Sequence, residues 1–106
     1  MADSLQGTLD LLILKTLQLG PNHGFGITLH IQTASQGLLR VEEGSLYPAL
    51  HRLERDNLVK AEWKTTDNRR RARVYTLTPA GRKRLDEAQD SWMTLSKGIG
   101  KLLRYA

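Results

Sequence analysis

Cysteine is absent from all 106 residues, which removes disulfides and thiolate chemistry and fits a reducing cytoplasm. Long apolar runs are missing too. The leucine-rich stretch at 9–19 is broken by Asp10 and Lys15, well short of a membrane span. The opening Met-Ala-Asp-Ser has no basic run ahead of that stretch, so a soluble, untargeted protein is expected. Histidines at 23, 30 and 51 lack metal-ligand spacing. Nor does the chain offer a carboxylate pair, a nucleophile with its histidine or a phosphate-cradling loop, so it is expected not to be an enzyme and to need no cofactor or metal. Internal repeats and low-complexity linkers are also lacking, and a chain this short makes one compact unit with a modest core.

One further absence is local. From Asn68 to Leu85 there is no acidic residue, while Arg69, Arg70, Arg71, Arg73, Arg82, Lys83 and Arg84 are basic. That segment carries +7 within a chain of net charge +5, so the remainder carries −2. Concentrated positive charge implies a phosphate-rich partner more than a uniformly basic surface would.

The residues that are present organise as follows. A first helix is predicted from Ser4 to Leu19, stopped by Gly20-Pro21. Leu5, Leu9, Leu12 and Thr16 line one side and Leu11 and Leu14 lie elsewhere, so the helix needs cover on two sides, which a second chain would help supply. Asn22 is expected to cap a second helix running to Gln36, with Gly37 as its left-handed exit and Ile27, Ile31 and Ala34 as its core stripe. Leu38 to Val41 suit a short extended link.

Residues 44–58 form the third helix. Leu46, Leu50 and Leu53 make its buried row, with Ala49 beside them, while Tyr47, His51 and Arg55 step along another face. After Ser45 no carboxylate occurs until Glu54, so the amino-terminal half can approach a polyanion as a recognition helix does. Ser45 serves as the expected N-cap with Pro48 in the first turn; an earlier start would put Pro48 in the interior. Val59, Ala61 and Trp63 then alternate with Lys60, Glu62 and Lys64 as a half-buried strand, and Trp63 is assigned to packing. Thr65 to Asn68 is turn chemistry, and Arg73 to Leu77 returns as a second strand, giving a hairpin with arginines at its tip. Thr78-Pro79 starts a final helix.

In that helix Leu85, Ala88, Trp92, Leu95, Ile99 and Leu102 follow a 3-4-3-4-3 spacing. This narrow seam favours a contact between two chains over a helix folded wholly on its own domain. Gly98 and Gly100 each cost about 1 kcal/mol relative to alanine in a helix interior. The expected fold class is mainly α with a small β-hairpin: a winged helix-turn-helix over residues 1–78 and a dimerisation helix over 79–106.

These residues resemble the PadR family of bacterial transcriptional regulators, in particular its short-tailed members with one carboxy-terminal helix. The resemblance rests on Leu14 and the turn after it, on His23-Gly24-Phe25-Gly26-Ile27, on Gly44-Ser45-Leu46-Tyr47-Pro48-Ala49-Leu50-His51-Arg52-Leu53-Glu54, and on Val74-Tyr75-Thr76-Leu77-Thr78-Pro79-Ala80-Gly81. It implies a homodimeric repressor on double-stranded DNA, and the two-fold of a dimer implies a pseudo-palindromic operator. DNA contacts are expected from Ser45, Tyr47, Pro48, His51 and Arg52 on the third helix, and from Lys64, Arg69, Arg70, Arg71 and Arg73 on the wing. Tyr47 would hold a phosphate, or be a partly buried core residue; Arg52 would contact DNA, or pair with Glu42 or Asp56. Where many relatives have a glycine-rich wing, this chain has Asn68-Arg69-Arg70-Arg71-Ala72-Arg73, which leaves open which arginine takes the phosphate. In similar short-tailed regulators a tryptophan of the last helix lines a pocket for flat aromatic effectors, so Trp92 is either a ligand plate or packed interface core. The alternative function is a winged-helix module that binds an acidic protein surface without sequence-specific DNA binding.

Overall fold

The structure is a computed structural model that describes residues 4–105, with side chains from residue 7 onward. The opening at residues 1–3 and the side chain of Leu5 therefore lie outside what is described. In chain order the elements are α1 (Ser4–Gln18), β1 (Asn22–His23), α2 (Gly24–Ala34), α3 (Glu43–Arg55), β2 (Val59–Thr65), β3 (Arg71–Leu77) and α4 (Pro79–Arg104).

The core forms where α1, α2, α3 and the sheet meet. From α1, Ile13, Leu14 and Leu17 are buried, while Leu9, Leu11 and Leu12 are half-buried. The deepest row is thus displaced from the expected Leu9–Leu12–Thr16 line. Thr16 is buried as well, which its hydroxyl tolerates by donating to the Leu12 carbonyl at 2.8 Å.

The start of α2 differs from expectation. His23, not Asn22, is the N-cap, and its Nδ1 accepts from the Gly26 N–H at 3.1 Å. Asn22 is extended instead, and with His23 it pairs against Tyr75 and Val74. The expected two-stranded hairpin is therefore part of a three-stranded antiparallel sheet in the order β1-β3-β2. Ile27 and Ile31 reach the core, but Ala34 is exposed, because the helix ends there and Gln36 and Gly37, with φ of 55° and 81°, turn the chain away.

Helix α3 begins earlier than a Ser45 cap would allow. Glu42 is its N-cap, and its carbonyl accepts from both Ser45 and Leu46. Pro48 consequently sits inside the helix. The carbonyl it leaves without a donor is that of Gly44 in the first turn, which is exposed and so open to solvent. Leu46, Ala49, Leu50 and Leu53 are buried as the spacing requires.

Thr78 fastens the end of α3 to the start of α4. Its backbone N–H donates to Leu58 O at 3.2 Å, its hydroxyl donates to Asn57 O at 2.7 Å, and the same oxygen accepts from Gly81 N–H at 2.9 Å. Leu85 completes the core. Beyond it α4 runs on with Trp92, Met93, Leu95, Ile99, Leu102 and Leu103 exposed. At 26 residues this helix is about 39 Å long. The molecule accordingly measures 58 Å along its longest axis, with a radius of gyration of 15.1 Å, against about 13 Å for a compact chain of this length. No described helix is long and apolar enough to cross a membrane.

Candidate nucleic-acid interface

The register Val59↔Leu77, Ala61↔Tyr75, Trp63↔Arg73 and Thr65↔Arg71 puts these residues on one face of the sheet, since side chains alternate along a strand. Its inner end supplies Val59 and Tyr75 to the core. Burial pushes the Tyr75 phenol above its ordinary pKa of 10.0, so it stays neutral there. The outer end of the same face runs past the core, and Trp63 is 56% exposed. Its assignment to packing is corrected: a strand of seven residues outlasts a core this small.

Between this face, α3 and the start of α2 lies an open groove of about 660 Å³. Tyr47 and His51 of α3, His23 and Phe25 at the head of α2, and Trp63, Arg71 and Arg73 of the sheet line it, and among the described residues no carboxylate does. Tyr47 is held by close packing, because a Cβ on Gly24 would come within 2.7 Å of its hydroxyl. With that edge against α2 and 41% of its surface exposed, Tyr47 is a surface residue of the groove wall. Pro48 and His51 are exposed beside it.

The other expected contacts are distributed differently. Ser45 is exposed but borders a separate hollow with Leu12, Leu39 and Arg52. Arg52 pairs neither with Glu42 nor with Asp56: its guanidinium donates to Asp10 of α1 at 2.7 Å, with both side chains mostly covered. Burial outweighs this partner, and the Asp10 carboxyl is raised above 3.8. Arg73 donates to Glu54 of α3 at 2.8 Å. Lys64 belongs to the opposite face of β2, one residue out of phase with Trp63. Arg69 and Arg70 are exposed in the turn, where Arg69 has a φ of 61° and the Arg70 carbonyl accepts from the Thr66 backbone and hydroxyl.

Along the seam of α4, Leu85 is spent inside the chain's own core and Ala88 is half-buried; Trp92, Leu95, Ile99 and Leu102 remain outside. Trp92 and Met93 close an apolar hollow of about 350 Å³ against Leu11 and Leu12 of α1 and Leu39 of the α2–α3 link.

Three comparisons bear on this arrangement. The transcriptional regulator PadR-like family matches residues 13–87. A transcriptional regulator of Mycobacterium tuberculosis is 43% identical over 77 residues, covering 73% of this chain and 68% of that protein. Among solved structures, a transcriptional regulator of Clostridium thermocellum superposes with a TM-score of 0.85 at 28% identity, covering 98% of both chains. A PadR family transcription regulator of Clostridium difficile gives 0.76 at 27% identity, covering 90% of this chain and 97% of that one.

Proposed function

The chain belongs to the PadR-like family of transcriptional regulators, and we propose that it acts as a homodimeric, sequence-specific repressor on a pseudo-palindromic operator in the cytoplasm. Members of this family are regulators, not enzymes, and membership does not favour the protein-binding alternative. The observation that carries the reading is the groove beside α3: exposed Tyr47 and His51 face arginines of the wing, with no carboxylate among the described residues that line it. Such a surface admits a phosphate backbone while the exposed turns of α3 meet base edges in the major groove. Residues 1–78 supply the DNA-binding unit and 79–106 the dimerisation helix, and the hollow at Trp92 suits a flat aromatic effector that relieves binding.

Anisotropy titrations with double-stranded DNA from the chain's own upstream region test this. Binding should be saturable, should fall steeply as salt rises and should exceed that of shuffled DNA. His51→Ala should alter the order of preference among operator variants. Affinity indifferent to sequence and salt would remove the proposal.

A further inference from the structure

Trp63 is the largest side chain on the wing, and two guanidiniums lie over it. Arg73 is its direct cross-strand partner and Arg71 is two residues away on the same face. Their Cζ atoms are 5.8 Å and 5.6 Å from the indole centroid, within the reach of a cation–π attraction. The two arginines are otherwise unlike. Arg73 is half-buried and committed to Glu54 of α3. Arg71 is exposed, lines the groove opposite Tyr47 and His51, and has no ion-pair partner among the described residues.

A physical chain follows from α3 to the wing: Glu54 fixes Arg73, Arg73 and the indole rest on each other, and the indole carries Arg71. An exposed arginine normally gives up much rotamer freedom when it binds. Resting on a ring fixed to the recognition helix, Arg71 is already ordered on the groove side. Arg69 and Arg70, out in the turn, have no such support among the described residues.

We infer that Trp63 is a positioning residue for DNA binding, and that Arg71, held on its ring, is the wing arginine that takes a backbone phosphate in the groove beside α3. The inference rests on the DNA-binding reading above. The guanidinium would meet the phosphate while the indole excludes water from one of its faces.

The test is a set of titrations with the full chain and the upstream DNA between 0.05 and 0.3 M salt, concentrations of roughly the range over which phosphate contacts are resolved. Arg71→Ala should lower the slope of log affinity against log salt by about 0.9, the value of one phosphate contact, with about an eightfold loss at 0.1 M salt. Trp63→Leu keeps an apolar side chain without a π-face and should weaken binding about threefold, part of the rotamer freedom that an unsupported arginine gives up on binding. Trp63→Phe should restore most of that loss. In the Arg71→Ala background Trp63→Leu should have no further effect, because both changes remove one interaction. Because Trp63 lies outside the core, the variants should fold as the wild type does, with the same helical content.

The inference is overturned by an unchanged slope in Arg71→Ala, by no loss in Trp63→Leu, by a Phe variant no better than Leu, or by an undiminished Leu effect in the Arg71→Ala background. If the wild-type chain itself shows no salt-dependent DNA binding, the DNA-binding reading fails and this inference with it. If the wild type binds steeply and Trp63→Leu matches it, this inference alone fails.

Discussion

Gly81 and Gly98 occupy the same helix, and opposite effects are expected when each becomes alanine. Gly81 faces the carbonyl of Leu58 and the side chain of Leu77, and a Cβ there would overlap both. Alanine would gain about 1 kcal/mol of helix propensity, but displacing backbone in a packed junction costs up to about 3 kcal/mol. The clash wins, and Gly81→Ala should lose roughly 2 kcal/mol on balance. No atom of the described residues lies within 4 Å of a Cβ at Gly98, so Gly98→Ala should gain about 1 kcal/mol. Urea unfolding of the two variants checks this. Equal effects would show that α4 does not seat against Leu58 as described. Gly81 also explains how Thr78 reaches the carbonyls of Leu58 and Asn57, since a bulkier residue at 81 would lift the first turn of α4 off the end of α3.

Between elements, the tie from α1 to α3 is the pair Asp10–Arg52, and its energetics are not those of a simple stabilising bridge. Burial is the largest influence on Asp10 and raises its pKa from 3.8 despite the guanidinium. The folded chain therefore holds the Asp10 proton more tightly than the unfolded chain. This carboxyl's contribution to stability must fall as pH rises from below 3.8 through the raised folded value, and stay level above it. Urea midpoints of the wild type and Asp10→Asn, compared from acid to neutral pH, should show the wild type losing ground across that window. A wild type that gains ground instead would mean Arg52 dominates. What the pair supplies is orientation: it ties α3 to α1 outside the groove that Tyr47 lines.

Much at this scale was legible in the sequence, for identifiable reasons. The row Leu46, Leu50 and Leu53 has a helical period and a core to fill, and Thr78-Pro79 is a cap whose chemistry is local. β1 was not legible, because two residues joined to β3 through backbone bonds leave no period. The start of α3 escaped as well, since Glu42 caps it through its backbone and makes no side-chain cap bond. Trp63 misled because alternation reports which face a residue is on, not where along the strand the core stops. Arg52 found Asp10, 42 positions away, a partner that local spacing does not reveal.

At the scale of the whole molecule, the distal half of α4 sets the expectation. Trp92, Leu95 and Ile99 are 47%, 41% and 47% exposed in the single chain, and Leu102 is 72% exposed. Apolar side chains repeating at 3.5-residue spacing along a projecting helix form a continuous stripe of the kind that a partner helix covers. The near end of that stripe opens on the hollow that Trp92 and Met93 form with Leu11, Leu12 and Leu39, so association would place a second chain beside the proposed effector site. Ile99→Glu sets a charge in the stripe without touching the chain's own core, which ends at Leu85. Its effect should be confined to assembly. Sedimentation equilibrium at micromolar concentration should show a wild-type dimer and a monomeric Ile99→Glu chain with an unchanged helical content. Operator affinity should fall at least about tenfold, because two linked half-site contacts become two independent ones. A variant that stays dimeric would move the interface off this stripe, and a wild type that is monomeric at these concentrations would remove the two-fold from which the palindromic operator is argued.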